Sequence, residues 1–140
     1  MATDPSAVLL DTGILVAILD EGDRLHDPAV EWISNSRLRL HTIEPVLAEA
    51  AHFVPSHRRA SVADFVIAAK ASVHRPDIAA YKRVATLLRK YADLEPDWAD
   101  AMLVWLAEES GIHRIATLDV RDFSAYRIHG RGKFQIEPIR

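Results

Sequence analysis

The sequence predicts an α/β protein with a central, mainly parallel sheet of about five strands, and two patterns support this prediction. Short apolar runs without alternating polar residues are typical of strands that are buried on both faces. Between these runs lie longer segments whose apolar residues are spaced by three and four positions, as on one face of a helix. Strands that alternate with helices form βαβ units, in which the strands run parallel.

The N-terminal elements follow this alternation. Ala7–Leu10 is a short apolar run and predicts a strand that ends at Asp11. Ile14–Leu19 has the apolar density of a helix. A second helix is predicted over Pro28–Ile33, because the preceding Asp27 is a favoured N-cap residue and proline fits the first helical position.

The middle of the chain continues with two further strands and two helices. A strand is predicted at Leu38–His41, followed by a helix over Thr42–Val54 whose apolar residues recur at helical spacing. Another helix is predicted at Ser61–Ala71, and it leads into a brief strand at Ser72–His74.

The C-terminal part contains the clearest helical pattern. Trp98–Ser110 places Trp105 and other apolar residues on one face, so we expect Trp105 in the core, and Gly111 is the expected helix stop. The remaining predicted elements are a helix at Ile78–Tyr91 and strands at Ile115–Leu118 and Phe134–Ile136.

The composition narrows the class of protein. The chain has 140 residues, 49% of them hydrophobic and 26% charged, and it shows no repeat or linker, so we expect one domain over residues 1–140. No apolar run approaches the roughly 20 residues that cross a bilayer, and residues 1–6 lack the basic start of a signal peptide, so we expect a cytoplasmic protein. The absence of cysteine excludes disulfides, thiolate nucleophiles and zinc–thiolate sites. The net charge of −3 neither indicates nor excludes a nucleic-acid partner.

Four acidic residues stand where the predicted fold could bring them together. Asp11 and Asp119 directly follow predicted strands, and parallel sheets bind ligands beyond the carboxyl ends of their strands. Glu49 lies in the first half of a predicted helix and Asp100 in the first turn of another, each among residues that are otherwise apolar. Clustered carboxylates repel one another and therefore require a cation or a raised pKa. Mg²⁺ or Mn²⁺ suits oxygen ligands, and such a site can activate a water and stabilise the charge on a phosphodiester during cleavage.

Each of these acids also has an ordinary structural explanation. Asp11 could be a turn residue or a helix N-cap, and Asp119 could open a turn. Asp97 could be the N-cap of the following helix, with Asp100 as its partner in a capping box. Glu49 could face solvent on its helix. The spacing of the four acids therefore leaves the metal site open.

Two basic groups allow a similar pair of interpretations. They could contact the backbone phosphates of a nucleic acid, which supply most of the affinity that is independent of sequence, or they could be solvated loops. The first group is His57, Arg58 and Arg59, and the second is Arg127, His129, Arg131 and Lys133.

The order and surroundings of the four acids resemble the PIN-domain family, and within it the VapC-type toxin ribonucleases of bacterial toxin–antitoxin pairs. Four stretches in the same order carry the resemblance, which extends over nearly the whole chain. They are Val8–Gly13, Glu44–Ala50, Asp100–Leu103 and Ile115–Asp119.

The resemblance implies a three-layer α/β/α sandwich whose catalytic residues are Asp11, Glu49, Asp100 and Asp119. Three of these, Asp11, Asp100 and Asp119, would be ligands of Mg²⁺ (or Mn²⁺). The implied activity is a divalent-metal-dependent endoribonuclease that hydrolyses RNA phosphodiesters with a metal-activated water.

The resemblance also implies supporting residues and partners. The hydroxyls of Thr12 and Thr117 would support the acids. The implied partners are an RNA substrate, an antitoxin protein that blocks the site, and a second copy of the chain in a homodimer.

Three other functions are compatible with parts of this pattern. PIN domains also occur as solitary nucleases without an antitoxin, and an α/β scaffold domain could bind Mg²⁺ without cleaving RNA. A haloacid-dehalogenase-like phosphatase also begins with a strand that ends in aspartate, but Gly13 stands where its second aspartate is expected. No glycine-rich phosphate-binding motif is present, which disfavours a nucleotide-binding role.

Overall fold

A computed structural model describes residues 4–139, in which strands and helices alternate. The strands are β1 (Ala7–Leu10), β2 (Arg39–Ile43), β3 (Ser72–His74), β4 (Arg114–Ala116), β5 (Arg127–Ile128), β6 (Gly132–Lys133) and β7 (Gln135–Ile136). The helices are α1 (Thr12–Leu19), α2 (His26–Asn35), α3 (Glu44–Phe53), α4 (Arg59–Ala68), α5 (Ile78–Lys90), α6 (Trp98–Ser110) and α7 (Val120–Ala125). Short 3₁₀ turns lie at Ser56–Arg58 and Ala92–Leu94.

Five of the strands form one parallel sheet, in the order β3-β2-β1-β4-β7. The other two, β5 and β6, form a small antiparallel hairpin. The predicted α/β class and five-stranded parallel sheet are therefore confirmed. Among the described residues, no helix combines the length and the apolar character needed to cross a membrane.

Helices cover both faces of the sheet. On one side α1 packs against α2 and α3, and α3 packs against α4. On the other side α5 packs against α6. The strand order reverses after β3, because β4 pairs with the free side of β1. Right-handed crossovers therefore place the two groups of helices on opposite faces, which gives the expected three layers.

Helix α6 is the most deeply buried element. Every residue from 99 to 107 is buried, including Trp105, whose predicted place in the core is confirmed. A helix that is apolar on all sides lies inside its protein. Asp100 is the one charged residue in this buried run and is only 4% exposed. The helix ends at Gly111, whose φ of +75° is the left-handed conformation of a glycine C-cap.

Two predicted strand ends were wrong. The strand predicted at Leu38–His41 continues through Ile43, because Thr42 and Ile43 pair with β3 and the Thr42 hydroxyl donates to the Leu10 carbonyl at 2.8 Å. The helix predicted from Thr42 therefore begins at Glu44. The strand predicted at Ile115–Leu118 ends at Ala116, because the Thr117 hydroxyl accepts a hydrogen bond from the Asp119 amide and turns the chain away.

Two predicted helices begin earlier than their sequence cues indicated. Helix α2 starts at His26 rather than Pro28, so Asp27 lies in the first turn and is not the N-cap. Helix α4 begins at Arg59 and ends at Ala68, because Lys70 adopts a left-handed φ of +52° before β3. Helix α7 and the β5–β6 hairpin were not predicted, since each is too short to show a periodic pattern.

We predict that Gly111→Ala lowers the free energy of unfolding by about 1–2 kcal/mol, because a side chain disfavours the left-handed conformation. Urea denaturation monitored by circular dichroism would measure the change. An unchanged unfolding free energy would show that α6 does not depend on this C-cap.

Candidate active site

Two of the predicted acids lie where the strand order of the sheet reverses. β1 and β4 are neighbours in the sheet, with Leu10 opposite Ala116. Asp11 follows β1, and its amide donates to the Ala116 carbonyl at 3.0 Å. Asp119 lies three residues beyond β4, at the start of α7. Crevices at such reversal points are the usual ligand sites of open parallel sheets.

The third acid comes from the buried helix α6. Asp97 caps this helix by accepting a hydrogen bond from the Asp100 amide at 2.8 Å, as the capping interpretation expects. The Asp100 side chain, however, does not complete a capping box. It accepts a hydrogen bond from the Tyr126 hydroxyl at 2.9 Å and points toward the other acids. One carboxylate oxygen from each of Asp11, Asp100 and Asp119 lies within 4.8 Å of the other two.

The fourth acid, Glu49, joins the same cleft from α3. Glu49 is half-buried and accepts a hydrogen bond from the Thr12 hydroxyl at 3.0 Å. It is not one of the three acids that lie within 4.8 Å of one another. The structure therefore brings all four predicted acids to one cleft, with three in a tight cluster and Glu49 at its side.

The two predicted threonines both contact acids. The Thr117 hydroxyl donates to Asp11 Oδ2 at 2.7 Å and accepts from the Asp119 amide at 3.0 Å. Thr117 thus fixes two members of the cluster relative to each other. Thr12 supplies its amide to Asp11 Oδ1 at 2.8 Å and its hydroxyl to Glu49. Asp11 is therefore both the N-cap of α1 and a member of the acidic cluster.

Burial and mutual repulsion alter the acidity of the cluster. Burial raises the pKa of Asp11 to about 6, against the lowering effect of its bonds from Thr117 and the Thr12 amide. Burial raises the pKa of Asp100 to about 8, and the charges of Asp97 and Asp11 add to the rise. The pKa of Asp119 is also raised, by desolvation and by the neighbouring acids. A bound cation would reverse these shifts by favouring the charged carboxylates.

The cleft holds more acids than the sequence analysis identified. Its volume is about 460 Å³, and none of the described residues that line it is basic. The additional acids are Asp20, Asp23 and Asp97. Asp20 and Asp23 follow α1 in a loop, and no sequence pattern connected them to the other acids. Neither predicted basic group lines the cleft, and Arg58 of the first group pairs with Glu21.

The donor set suits a hard divalent cation. Three carboxylate oxygens from Asp11, Asp100 and Asp119 converge, and the buried pair among them has raised pKa values in the absence of a cation. Mg²⁺ and Mn²⁺ prefer oxygen ligands of this kind. No histidine or cysteine belongs to this group of ligands, which disfavours softer metals.

Comparison with known proteins identifies the family. A model of the PIN domain matches residues 8–128, which includes all four acids. The chain belongs to the PIN-domain family. This membership confirms the resemblance to the PIN-domain family seen in the sequence, and it disfavours the haloacid-dehalogenase-like phosphatase.

Individual relatives agree with the PIN assignment. The chain is 30% identical to Ribonuclease VapC26 of Mycobacterium tuberculosis over 135 residues, covering 94% of this chain and all of VapC26. The crystal structure of M. tuberculosis VapC20, a sarcin–ricin loop cleaving toxin, is similar with a TM-score of 0.73 at 16% identity, over 81% of this chain and 90% of that one. FitAcB from Neisseria gonorrhoeae gives a TM-score of 0.55 at 16% identity, over 91% and 96% of the two chains.

The raised pKa values of the buried acids predict how the stability of the metal-free protein varies with pH. Asp11 and Asp100 bind protons more tightly in the folded state, with pKa values of about 6 and 8, than in the unfolded state, where both are near 3.8. Their stabilising contribution is complete below pH 4 and is lost as the pH rises through the folded pKa values. The free energy of unfolding should therefore fall between pH 4 and 8.

Denaturation at several pH values, with chelator present, tests this prediction. Asp100→Asn should reduce the fall in the free energy of unfolding as the pH approaches 8, because the asparagine amide does not titrate. Asp64→Asn on the exposed face of α4 is the control and should keep the wild-type slope. A wild-type slope in Asp100→Asn would show that the folded state does not raise the pKa of Asp100.

Proposed function

We propose that this PIN domain is a divalent-metal-dependent endoribonuclease that hydrolyses RNA phosphodiesters. The observation that carries the proposal is the convergence of Asp11, Asp100 and Asp119 within 4.8 Å in an acidic cleft. The similarity to Ribonuclease VapC26 over nearly the full length of both chains supports RNA as the substrate.

The side chains divide into two roles in this proposal. Asp11, Asp100 and Asp119 would hold Mg²⁺ or Mn²⁺ through their clustered oxygens. When bound, a divalent cation lowers the pKa of a water and stabilises the charge that builds on a phosphodiester. Glu49, held by the Thr12 hydroxyl, would complete the ligand shell or orient the attacking water toward phosphorus. Thr117 would keep Asp11 in place during the reaction.

The charge of the cleft makes RNA binding dependent on the cation. Seven carboxyl groups line the cleft, and no basic residue among the described lining residues opposes them. RNA carries a negative charge at every phosphate, so an empty cleft would repel it. Neutralisation of the acids would allow a phosphate to approach. Loss of the metal should therefore weaken RNA binding as well as cleavage.

The proposal extends to the protein partners of the chain. We infer that the chain is the toxin of a toxin–antitoxin pair, that an antitoxin protein covers the cleft, and that the toxin forms a homodimer. The similarities to VapC26 and to the VapC20 toxin support this setting. A solitary PIN nuclease is the alternative if no antitoxin co-purifies. A metal-binding scaffold is the alternative if RNA is not cleaved.

We predict cleavage of unstructured RNA in Mg²⁺ or Mn²⁺, and no cleavage with chelator. Asp100→Asn should lower the rate at least about 100-fold, because loss of a ligand removes several kcal/mol of charge stabilisation. Asp64→Asn removes the same charge from an exposed position outside the cleft and should keep wild-type activity. Gel analysis of end-labelled RNA would measure both rates.

Other outcomes of this cleavage assay would favour the alternatives. Equal cleavage by wild type and Asp100→Asn would exclude the proposed site. Metal binding without cleavage of structured or unstructured RNA, in protein shown to be free of a bound partner, would favour the scaffold function.

A further inference from the structure

A buried tyrosine reaches the acidic cluster from the C-terminal end of α7. Tyr126 is only 1% exposed, and its hydroxyl donates to Asp100 Oδ2 at 2.9 Å. The two residues are 26 positions apart in the sequence, so the fold rather than local chain geometry brings them together. A buried phenol requires a hydrogen-bond partner, and here that partner is a member of the candidate metal centre.

Neighbouring aromatic rings hold the phenol in place. Tyr91 packs edge-on against Tyr126 with ring centroids 5.0 Å apart, and Phe123 does the same at 5.0 Å and 88°. The Tyr126 amide also donates to the Asp122 carbonyl at 3.0 Å. With the ring enclosed and the backbone fixed, the hydroxyl has little freedom to leave Asp100.

Tyr126 is one of three described residues that donate a hydroxyl hydrogen bond to an acid of the cleft. Thr117 donates its hydroxyl to Asp11, and Thr12 donates its hydroxyl to Glu49. Tyr126 does the same for Asp100, whose carboxylate has no other hydrogen-bond donor within residues 4–139. Each of these three acids thus accepts a hydrogen bond from one hydroxyl, which restrains one oxygen of the carboxylate.

We propose that Tyr126 is a positioning residue for the metal centre. Its hydroxyl holds one oxygen of Asp100 and so sets the orientation in which the other oxygen faces the cation. The inference rests on the proposed function, since it assumes that the acidic cluster binds a divalent metal. It adds a residue that belongs to none of the four motifs of the sequence. Residues that orient a metal ligand commonly change metal affinity tenfold to a hundredfold when they are removed.

Two matched variants separate positioning from simple packing. Tyr126→Phe removes the hydroxyl and keeps the ring. Tyr91→Phe is the control, because it removes a hydroxyl from the adjoining ring of the same aromatic cluster. The Tyr91 hydroxyl accepts a hydrogen bond from the Arg127 amide at 2.9 Å, and within residues 4–139 it makes no hydrogen bond to the acids of the cluster. Circular dichroism and thermal unfolding would establish that both variants are folded.

The experiment measures Mn²⁺ binding by electron paramagnetic resonance in protein without RNA. Tyr126→Phe should bind Mn²⁺ about 10–100-fold more weakly than wild type, and Tyr91→Phe should stay within about twofold. RNA cleavage by Tyr126→Phe should recover when the Mn²⁺ concentration is raised by the same factor. Such recovery would place the loss in metal binding, and the comparison with Tyr91→Phe separates the missing hydroxyl from a packing defect.

Two results would overturn the inference while leaving the proposed function in place. One is wild-type Mn²⁺ affinity in Tyr126→Phe. The other is an equal loss of affinity in both variants, which would assign the effect to packing of the aromatic cluster. Failure of the wild-type protein to bind Mn²⁺ would instead overturn the proposed function, and this inference with it.

Discussion

Repulsion among three carboxylates is the constraint on which the site depends. Asp11, Asp100 and Asp119 lie within 4.8 Å of one another, and two of them are buried. Such a group is costly unless protons or a cation neutralise it. The strand reversal between β1 and β4 supplies two of the acids, and the buried helix α6 supplies the third. Buried elements of the fold therefore hold the acids together against their repulsion.

Hydroxyl groups complete the arrangement of the acids. Thr117, Thr12 and Tyr126 each donate to one carboxylate, so protein hydrogen bonds restrain Asp11, Glu49 and Asp100. The pKa values of Asp11 and Asp100 are raised because both carboxyls are buried near other acids, so without a cation these two residues bind protons more tightly than free carboxyls do.

Most of the fold could be predicted from long segments with helical spacing of apolar residues, and the four acids from the order of the short motifs that contain them. Trp98–Ser110 was predicted to the residue, because its apolar pattern and glycine stop agree. The end of β4 was not, because a side-chain bond from Thr117 rather than hydrophobicity stops that strand. The four acids converge as expected, although Asp20, Asp23 and Asp97 joined them unpredicted. Tyr126 could not be predicted, because only the packing of α7 brings it to Asp100.

A crystal grown with Mn²⁺ would test whether the acidic cluster is a divalent-cation site. Anomalous scattering locates Mn²⁺ independently of any assumption about its ligands. We predict an anomalous peak about 2.0–2.6 Å from carboxylate oxygens of Asp11, Asp100 and Asp119. Ordered carboxylates with no peak between them, in crystals saturated with Mn²⁺, would show that the cluster does not bind the cation.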